Sequence, residues 1–202
     1  DPMLATHNLA NAAKSFGAVF HFNKEVAQIN TSGGAVTGVT LASGEVFNAP
    51  VVINAAGPHA AKINKMAGVY DEMKVHHQPL RQEVFSPPAP VGFRLEDNAP
   101  IVADLDLGQY FRPHMGDLLN VGTTEPACDE LHFIDDADDW NDSVTVEFFE
   151  RVMLRLARRL PDFGIPLKLL GIGALYDVTD DWIPLYDKSS LNGFFMACGT
   201  SG

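Results

Sequence analysis

The chain has 202 residues, enough for one large domain or for one domain and part of another, and a globule of this length buries about 70% of its unfolded surface. The net charge of −12 argues against nucleic acid or an anionic membrane as the main partner, because both are negatively charged. No apolar run reaches the ~20 residues that span a bilayer. Cys128 and Cys198 are too far apart in sequence to suggest a disulfide framework or a zinc knuckle. We therefore expect a cytoplasmic protein with reduced thiols.

The first 48 residues predict a helix followed by a meander of strands. Apolar residues recur at helical spacing from Pro2 onward, and Gly17 suits a left-handed helix end. Strands are expected at residues 18–22, 25–30, 35–41 and 45–48, and the turns between the later ones fall at glycines.

The rest of the chain is organised around residues 51–60, VVINAAGPHA. The apolar run narrows to Ala55 and Ala56, turns at Gly57, and is followed by a helical pattern, which predicts a buried strand that leads into a helix. Small residues before a helix let an anion or a dinucleotide approach the main chain, where the first helical N–H groups have no internal partner. An ordinary strand-to-helix turn is the alternative, and these ten residues alone leave it open.

From about residue 69 the pattern becomes that of an antiparallel sheet with one covered face. Strand-like runs lie at residues 74–78, 81–86, 101–104, 109–112 and 118–123, and the proline-rich residues 86–90 are expected to cross the surface. A helix is predicted for residues 145–160, with one apolar face packed on that sheet.

No metal site is expected in this sequence. The acidic loop at residues 135–142 lacks the glycine of a calcium loop, so we expect a surface loop that ends in a helix cap at Asn141 or Asp142. His76 and His77 are adjacent, and on a strand they would point to opposite faces.

Four pieces of the chain occur in a recognisable order. They are VVINAAGPHA at 51–60, PLRQ at 79–82, GQYFRP at 108–113 with LLNVG at 118–122, and YDVTDDWIP at 176–184 with FMACGTSG at 195–202. Together they resemble the FAD-dependent amine and amino-acid oxidoreductases, a family that includes glycine oxidase, sarcosine oxidase, D-amino-acid oxidase and the dimethylglycine dehydrogenases.

The resemblance implies an α+β fold, in which an antiparallel-sheet substrate domain with flanking helices joins an incomplete Rossmann-like FAD-binding portion. The implied boundaries are 1–68 for the partial FAD-binding domain, 69–185 for the substrate-binding domain and 186–202 for a return to the FAD-binding domain. The relatives begin with a G-x-G-x-x-G turn that this sequence lacks. We therefore expect an internal fragment with an incomplete cofactor site, inactive by itself.

The resemblance also implies which residues contact FAD. The expected contacts are Val26, whose alternative role is an ordinary core valine, and two turns, one formed by Ala55, Ala56 and Gly57, the other by Gly199, Thr200, Ser201 and Gly202. Some relatives attach FAD through a cysteine at the position of Ala174, so the cofactor is expected to be non-covalent.

The implied chemistry is oxidation of a C–N bond in an amino acid or N-methylated amine by hydride transfer to the flavin. Arg112, with Arg81 behind it, is the expected clamp for a carboxylate, because a guanidinium fork matches two oxygens. A salt bridge at the rim of the site is the alternative role for Arg112. Tyr110 and Tyr176 are expected around the amine, and the resemblance places Tyr176 over the flavin.

The electron acceptor and the class of protein are less constrained. Asn120 occupies the position at which several oxidases of the family carry a lysine that helps oxygen react, which favours a dehydrogenase. One alternative is a flavin dehydrogenase of the glycerol-3-phosphate type, and another is a non-catalytic subunit that binds FAD or a small molecule. The sequence also leaves open a homo-oligomer or a partner subunit.

Overall fold

The computed structural model describes residues 2–201, which form an α+β fold as predicted. The helices are α1 (Pro2–Ser15), α2 (Ala60–Met66) and α3 (Val146–Arg159), with 3-10 turns at Gly57–His59 and Tyr70–Glu72. The strands in chain order are β1 (Val26–Ser32), β2 (Ala35–Leu41), β3 (Val46–Asn48), β4 (Val52–Asn54), β5 (His77–Phe85), β6 (Val102–Asp104), β7 (Gln109–His114), β8 (Leu118–Thr123), β9 (His132–Phe133), β10 (Gly171–Thr179), β11 (Leu185–Lys188) and β12 (Phe194–Cys198).

The N-terminal part contains helix α1 and the antiparallel sheet β1-β2-β3. The strand predicted at residues 18–22 is wrong. That segment is irregular and pairs with no strand among the described residues; its aromatic rings contact each other instead, with the centroids of Phe20 and Phe22 6.1 Å apart. Helix α1 buries none of its residues, and its apolar Leu9 is 72% exposed.

A second sheet joins the beginning and the end of the chain in the order β11-β12-β4. Strands β12 and β4 are parallel, with Phe194 opposite Val52 and Met196 opposite Asn54. Their carboxyl ends therefore meet at one edge, so the turns at residues 55–57 and 199–201 lie side by side. The chain thus returns to its first part after residue 185, although the three domain boundaries remain predictions.

The largest sheet has the order β10-β5-β8-β7-β6, with β9 paired to β5. All these pairs are antiparallel. One face carries fully buried residues such as Phe85, Phe111 and Val121, and α3 packs on it through Phe149, Val152, Met153 and Leu156. The predicted packing helix is therefore confirmed.

Strand β5 runs unbroken where the sequence predicted two separate runs, at residues 74–78 and 81–86. Pro79 lies inside it and pairs with Asp177 of β10. The carbonyl of Pro79 accepts a hydrogen bond from the Ile134 N–H at 2.9 Å, on the edge occupied by the short strand β9. Because the N and O atoms of one strand residue face the same edge, the missing N–H of Pro79 costs the β5–β10 ladder nothing.

Two loop predictions are corrected. Residues 86–90 do not simply cross the surface: Ala89 is 8% exposed, and its N–H donates to the Asp117 carbonyl at 2.8 Å, which pulls the segment against the start of β8. The cap of α3 is Thr145, not Asn141 or Asp142. The main-chain N–H and hydroxyl of Thr145 both donate to the Glu83 carboxylate, at 2.8 and 2.9 Å.

Several sites are not found within residues 2–201. No helix there is long and apolar enough to cross a membrane. No group of three or more His, Cys, Asp or Glu side chains is arranged to hold a metal ion in the same part of the chain. Cys128 and Cys198 are both free thiols, the first exposed and the second buried.

Candidate functional site

A cavity of about 340 Å³ lies between the N-terminal sheet and the end of β4. It brings together Val26, Ala55 and Ala56, which the sequence predicted as cofactor contacts at separate places in the chain. The remaining lining is mostly apolar: Ile29, Val39, Val52, Ile53, Asn54 and Ile63. An apolar cavity beside exposed main chain suits the flat aromatic end of a dinucleotide.

The first predicted turn leaves its main chain accessible. Gly57 has a φ of +55°, which favours glycine, and Ala55 and Ala56 are exposed. The buried Asn54 side chain fixes this turn from behind, because its Oδ1 accepts the Ala56 N–H at 3.2 Å. The small side chains therefore leave room for a ligand against the main chain.

The second predicted turn follows β12 and is held by the end of β10. Gly199 has a φ of +67°, and a Cβ there would lie 2.3 Å from the Thr179 methyl group, so only glycine fits. Its N–H donates to Asp177 Oδ2 at 2.6 Å. Thr200 is exposed, and Gly202 lies outside the described residues.

Ser201 provides a test of whether this edge fits a cofactor. Its Oγ is buried and has no hydrogen-bond partner among residues 2–201. Buried hydroxyls are normally paired, because leaving one unpaired costs about 1–3 kcal/mol. An unpaired hydroxyl beside an open turn, at the carboxyl ends of two parallel strands, fits a polar group of a dinucleotide. The residues present are therefore compatible with FAD.

Three of the predicted site residues, Tyr110, Arg112 and Asn120, lie on the sheet face opposite α3. Tyr110 pairs with Gly122 and Arg112 pairs with Asn120 across strands β7 and β8. Phe111, between the two β7 residues, points to the α3 side, so Tyr110, Arg112 and Asn120 share the other face. All three are half-buried.

Tyr176 reaches the same face from β10. Burial, and then the neighbouring Tyr110 hydroxyl, raise its pKa well above the ordinary value for tyrosine. Gly122 makes the approach possible, because a Cβ there would lie 2.4 Å from the Tyr110 hydroxyl oxygen. Tyr176 thus remains protonated at neutral pH, with the Tyr110 hydroxyl as a close neighbour.

Arg112 has the charge that a carboxylate clamp needs. Its only hydrogen bond among the described residues is a 3.4 Å contact from Nη1 to the Pro113 carbonyl, and no carboxylate there is within ion-pair distance. Most other arginines are paired: Arg155, for example, donates through two nitrogens to the Asp129 carboxylate, each at 2.6 Å. The rim salt bridge, the alternative role for Arg112, is therefore not seen in the part of the chain that the structure describes.

Arg81 is not brought together with these residues. Its Nη1 donates to Glu83 at 2.7 Å, and its other nitrogens donate to the carbonyls of Asn141 and Ser143. These contacts fix the loop before α3 against β5. Arg81 lies on the opposite side of the sheet from Arg112, so the structure gives it no place behind the proposed clamp.

Sequence reasoning missed a set of buried polar residues between the two turns. Asn54, Asn64, His77 and Asp177 are each at most 3% exposed and are hydrogen-bonded in series. The sequence suggests only one role to test for His77, that of a metal ligand. One signal was available in the sequence: Asn54 is polar but stands at the end of an apolar run. A buried amide needs hydrogen-bond partners, and only the fold reveals which residues these are.

All residues from 1 to 202 match the family described as FAD dependent oxidoreductase. The chain belongs to this family. The predicted resemblance is therefore confirmed, and so is FAD as the cofactor on which the family depends. The residues that contact FAD, and its non-covalent attachment, remain predictions.

Known proteins are similar to this chain in sequence or in structure. The chain is 24% identical over 190 residues to the sarcosine oxidase subunit beta of Rhodobacter capsulatus, covering 94% of this chain and 42% of that protein. The L-proline dehydrogenase of P. horikoshii has a similar structure, with a TM-score of 0.78, 24% identity and coverage of 100% and 50% of the two chains. The glycine oxidase of Geobacillus kaustophilus is also similar in structure, with a TM-score of 0.71 and 22% identity. The match covers 96% of this chain and 47% of that protein. The chain thus spans about half the length of these proteins.

Proposed function

We propose that this chain forms the substrate-binding part and an edge of the cofactor site of an enzyme that oxidises a C–N bond in an amino acid or N-methylated amine. The observation that carries the proposal is the half-buried guanidinium of Arg112, which has no carboxylate partner within residues 2–201 and lies on the same face as Tyr110 and Tyr176. Sarcosine, L-proline and glycine, the substrates in the names of the relatives, each join an amine carbon to a carboxylate. A cation beside two phenols matches that pair of groups.

Each residue has a definite part in this proposal. Arg112 binds the carboxylate through its fork, which leaves the amine and its neighbouring carbon near the phenols. Because the pKa of Tyr176 is raised, its hydroxyl remains a neutral hydrogen-bond donor and does not compete as an anion for Arg112. Bound FAD supplies the hydride acceptor. The protein then has to orient the substrate and exclude water, and the resulting imine hydrolyses.

Asn120 supports a dehydrogenase over an oxidase. It lies directly opposite Arg112 on β8, and no lysine occupies that position. We expect the reduced enzyme to react slowly with oxygen. Stopped-flow reoxidation by air checks this expectation, and a rate as fast as that of typical oxidases would contradict it.

A flavin enzyme that acts on a phosphate-bearing alcohol is the second candidate. It is favoured by one observation: His114 lies two residues beyond Arg112 on β7 and shares its face, so a second nitrogen-bearing side chain stands beside the guanidinium. Turnover of glycerol 3-phosphate in place of amino acids would select this candidate.

The beta-subunit name of one relative also supports the expectation of a partner subunit.

The test compares Arg112→Met with Arg158→Met in the full-length holoprotein. Arg158 is exposed on α3, so its loss should leave turnover unchanged. We expect Arg112→Met to raise the KM for sarcosine, L-proline or glycine by roughly 10- to 100-fold, because a charge-assisted contact is lost. Equal KM values for the two variants would contradict the proposal.

A further inference from the structure

Four buried polar side chains connect the two proposed cofactor turns through the interior. Asn54 lies at the end of β4, Asn64 on α2, His77 at the start of β5 and Asp177 on β10. Their relative exposures are 3%, 0%, 1% and 3%. Buried polar groups of this kind are stable only when each donor meets an acceptor, so the direction of every hydrogen bond can be deduced.

The main chain fixes the direction at the first end. Asn54 Oδ1 accepts the Ala56 N–H at 3.2 Å, and Asn54 Nδ2 donates to the Ala60 carbonyl at 2.9 Å. The amide of Asn54 therefore cannot be reversed. Its second N–H points to Asn64 and needs an acceptor, which is Asn64 Oδ1 at 2.7 Å.

The same logic determines the protonation of His77. With Asn64 Oδ1 facing Asn54, Asn64 Nδ2 faces His77 Nε2 at 2.9 Å and donates to it. The proton of the imidazole is therefore on Nδ1, which donates to Asp177 Oδ1 at 2.8 Å. Asp177 Oδ2 accepts the Gly199 N–H at 2.6 Å, which completes the chain at the second turn.

We propose that Asn54, Asn64, His77 and Asp177 form a one-directional hydrogen-bond chain that sets the relative position of the turns at residues 55–57 and 199–201. The four are positioning residues for the cofactor, an assignment that rests on the proposed FAD site. None of them touches the ligand through its side chain in this proposal. They act through the Ala56 and Gly199 main-chain amides that they hold.

The hydrogen-bond chain constrains the two turns in a way that the paired strands alone do not. The ladder between β4 and β12 ends at the pair Asn54 and Met196, before either turn begins. Asp177 holds the second turn at two points, because its carbonyl also accepts the Ser201 N–H at 2.9 Å. Binding groups must be held to within about 0.5 Å to be effective, and a buried network supplies that restraint.

Asp177→Asn should break the hydrogen-bond chain, although the two side chains have almost the same shape. An asparagine offers one acceptor where two donors, from His77 Nδ1 and Gly199, need one each. Moving the His77 proton to Nε2 does not help, because Nε2 would then face the Asn64 amide donor, whose orientation is fixed from Asn54. We expect the affinity for FAD to fall by roughly tenfold or more.

Adding Asn64→Asp to Asp177→Asn should restore the hydrogen-bond chain, with the direction of donation reversed on both sides of His77. The new carboxylate accepts from both Asn54 Nδ2 and His77 Nε2, so the imidazole carries its proton on Nε2 and accepts at Nδ1. The amide at position 177 then donates to His77 and accepts from Gly199. Net charge and the hydrogen bonds among the four side chains and the two turns are conserved, and the weak 3.7 Å contact from Asn64 Nδ2 to Met73 Sδ is lost. FAD affinity should therefore return to within about threefold of the wild-type value.

The experiment measures FAD affinity by flavin fluorescence, thermal unfolding, and the His77 tautomer by 15N NMR in the full-length protein. Asp187→Asn is the control, because Asp187 is exposed on β11 and, within residues 2–201, accepts a hydrogen bond only from the neighbouring Lys188 N–H. We expect an Nδ1–H tautomer in the wild type, an Nε2–H tautomer in the double variant, and wild-type behaviour in the control.

The outcomes separate the network from the cofactor site. Unchanged FAD affinity in Asp177→Asn, or a folded double variant that does not recover affinity, would overturn the proposal. If Asp177→Asn fails to fold, recovery of folding by the double variant supports the network, and failure to recover overturns it. If the wild type binds no FAD while the tautomers switch as expected, the proposed cofactor site is wrong and the hydrogen-bond chain stands without its cofactor role.

Discussion

Gly122 illustrates how an absent side chain shapes the proposed substrate face. It has an ordinary backbone conformation, so alanine would be tolerated by the main chain, but its Cβ would lie 2.4 Å from the Tyr110 ring carbon Cζ. The end of a tyrosine side chain can swing away. The substitution should therefore displace Tyr110 from Tyr176 without unfolding the sheet.

We expect Gly122→Ala to lower kcat/KM for amino-acid oxidation by roughly 10- to 100-fold, because a misplaced group near the substrate costs orientation. The melting temperature should change little. Gly164→Ala is the matched control, since a Cβ there meets nothing within 4 Å and its backbone is unstrained. A Gly122→Ala enzyme with wild-type kinetics would show that Tyr110 has no part in catalysis.

Glu125 gives the protein a specific pH dependence. Burial, and then the nearby Asp129 charge, raise its pKa from 4.5 to about 7, and its carboxylate has no hydrogen-bond partner within residues 2–201. Its folded-state pKa lies above the unfolded one, so the folded protein binds more protons between these values. This group therefore lowers stability as pH rises from about 4.5 to about 7.

Replacement by glutamine removes that penalty. We expect Glu125→Gln to match the wild type in free energy of unfolding at pH 4.5 and to exceed it at pH 8 by on the order of 1 kcal/mol, a figure reduced for partial solvent screening. Urea titrations at both pH values measure the difference. A constant gap between the two proteins across this range would contradict the assignment.

At the scale of elements, α3 is the clearest case of a helix defined by its apolar period. Leu156 is fully buried against the sheet, whereas Leu154 on the same helix is 59% exposed. We expect Leu156→Ala to cost about 2–5 kcal/mol and Leu154→Ala less than about 0.5 kcal/mol. Chemical denaturation of the two variants measures both values, and equal losses would mean that α3 does not pack as described.

Elements with a local sequence signal can be predicted, whereas elements that depend on a distant partner cannot. The 3.6-residue period of α3 is a local signal, so this helix was predicted within one residue at each end. The apolar run at β4 correctly indicated a strand, but the expectation that it is buried is wrong for Ile53, which is 64% exposed. Strand β9 has only two residues and exists because β5 offers it an edge, which no local pattern reveals. Residues 18–22 have strand-like composition but no neighbouring strand to pair with among the described residues.

The arrangement of the candidate site residues was predicted to a similar extent, whereas their roles remain predictions. Resemblance to the family brought together Val26 with Ala55 and Ala56, and Tyr110 with Arg112, Asn120 and Tyr176. It placed Arg81 with them as well, but that guanidinium holds the loop before α3. The buried chain from Asn54 to Asp177 was missed, because its members are far apart in sequence and meet only in the folded protein.

At the scale of the whole molecule, two sheets carry the two parts of the candidate site. The parallel pair β4 and β12 presents two open turns at one edge, and the large antiparallel sheet presents a cation and two phenols on one face. The hydrogen-bond chain through His77 connects them, because His77 and Asp177 belong to the large sheet and Asn54 to the other. This arrangement fits an enzyme in which a sheet holds the substrate over a cofactor that the turns contact.

The most direct test of that account is the visible absorption spectrum of the full-length, FAD-loaded protein under anaerobic conditions, recorded while sarcosine, L-proline, glycine or glycerol 3-phosphate is added. We predict that the flavin bands bleach with at least one of the amino acids, and that the bleaching needs a much higher concentration in Arg112→Met than in Arg158→Met. Flavin bands that no amino acid bleaches, or that glycerol 3-phosphate alone bleaches, would contradict the assignment of this chain to C–N oxidation.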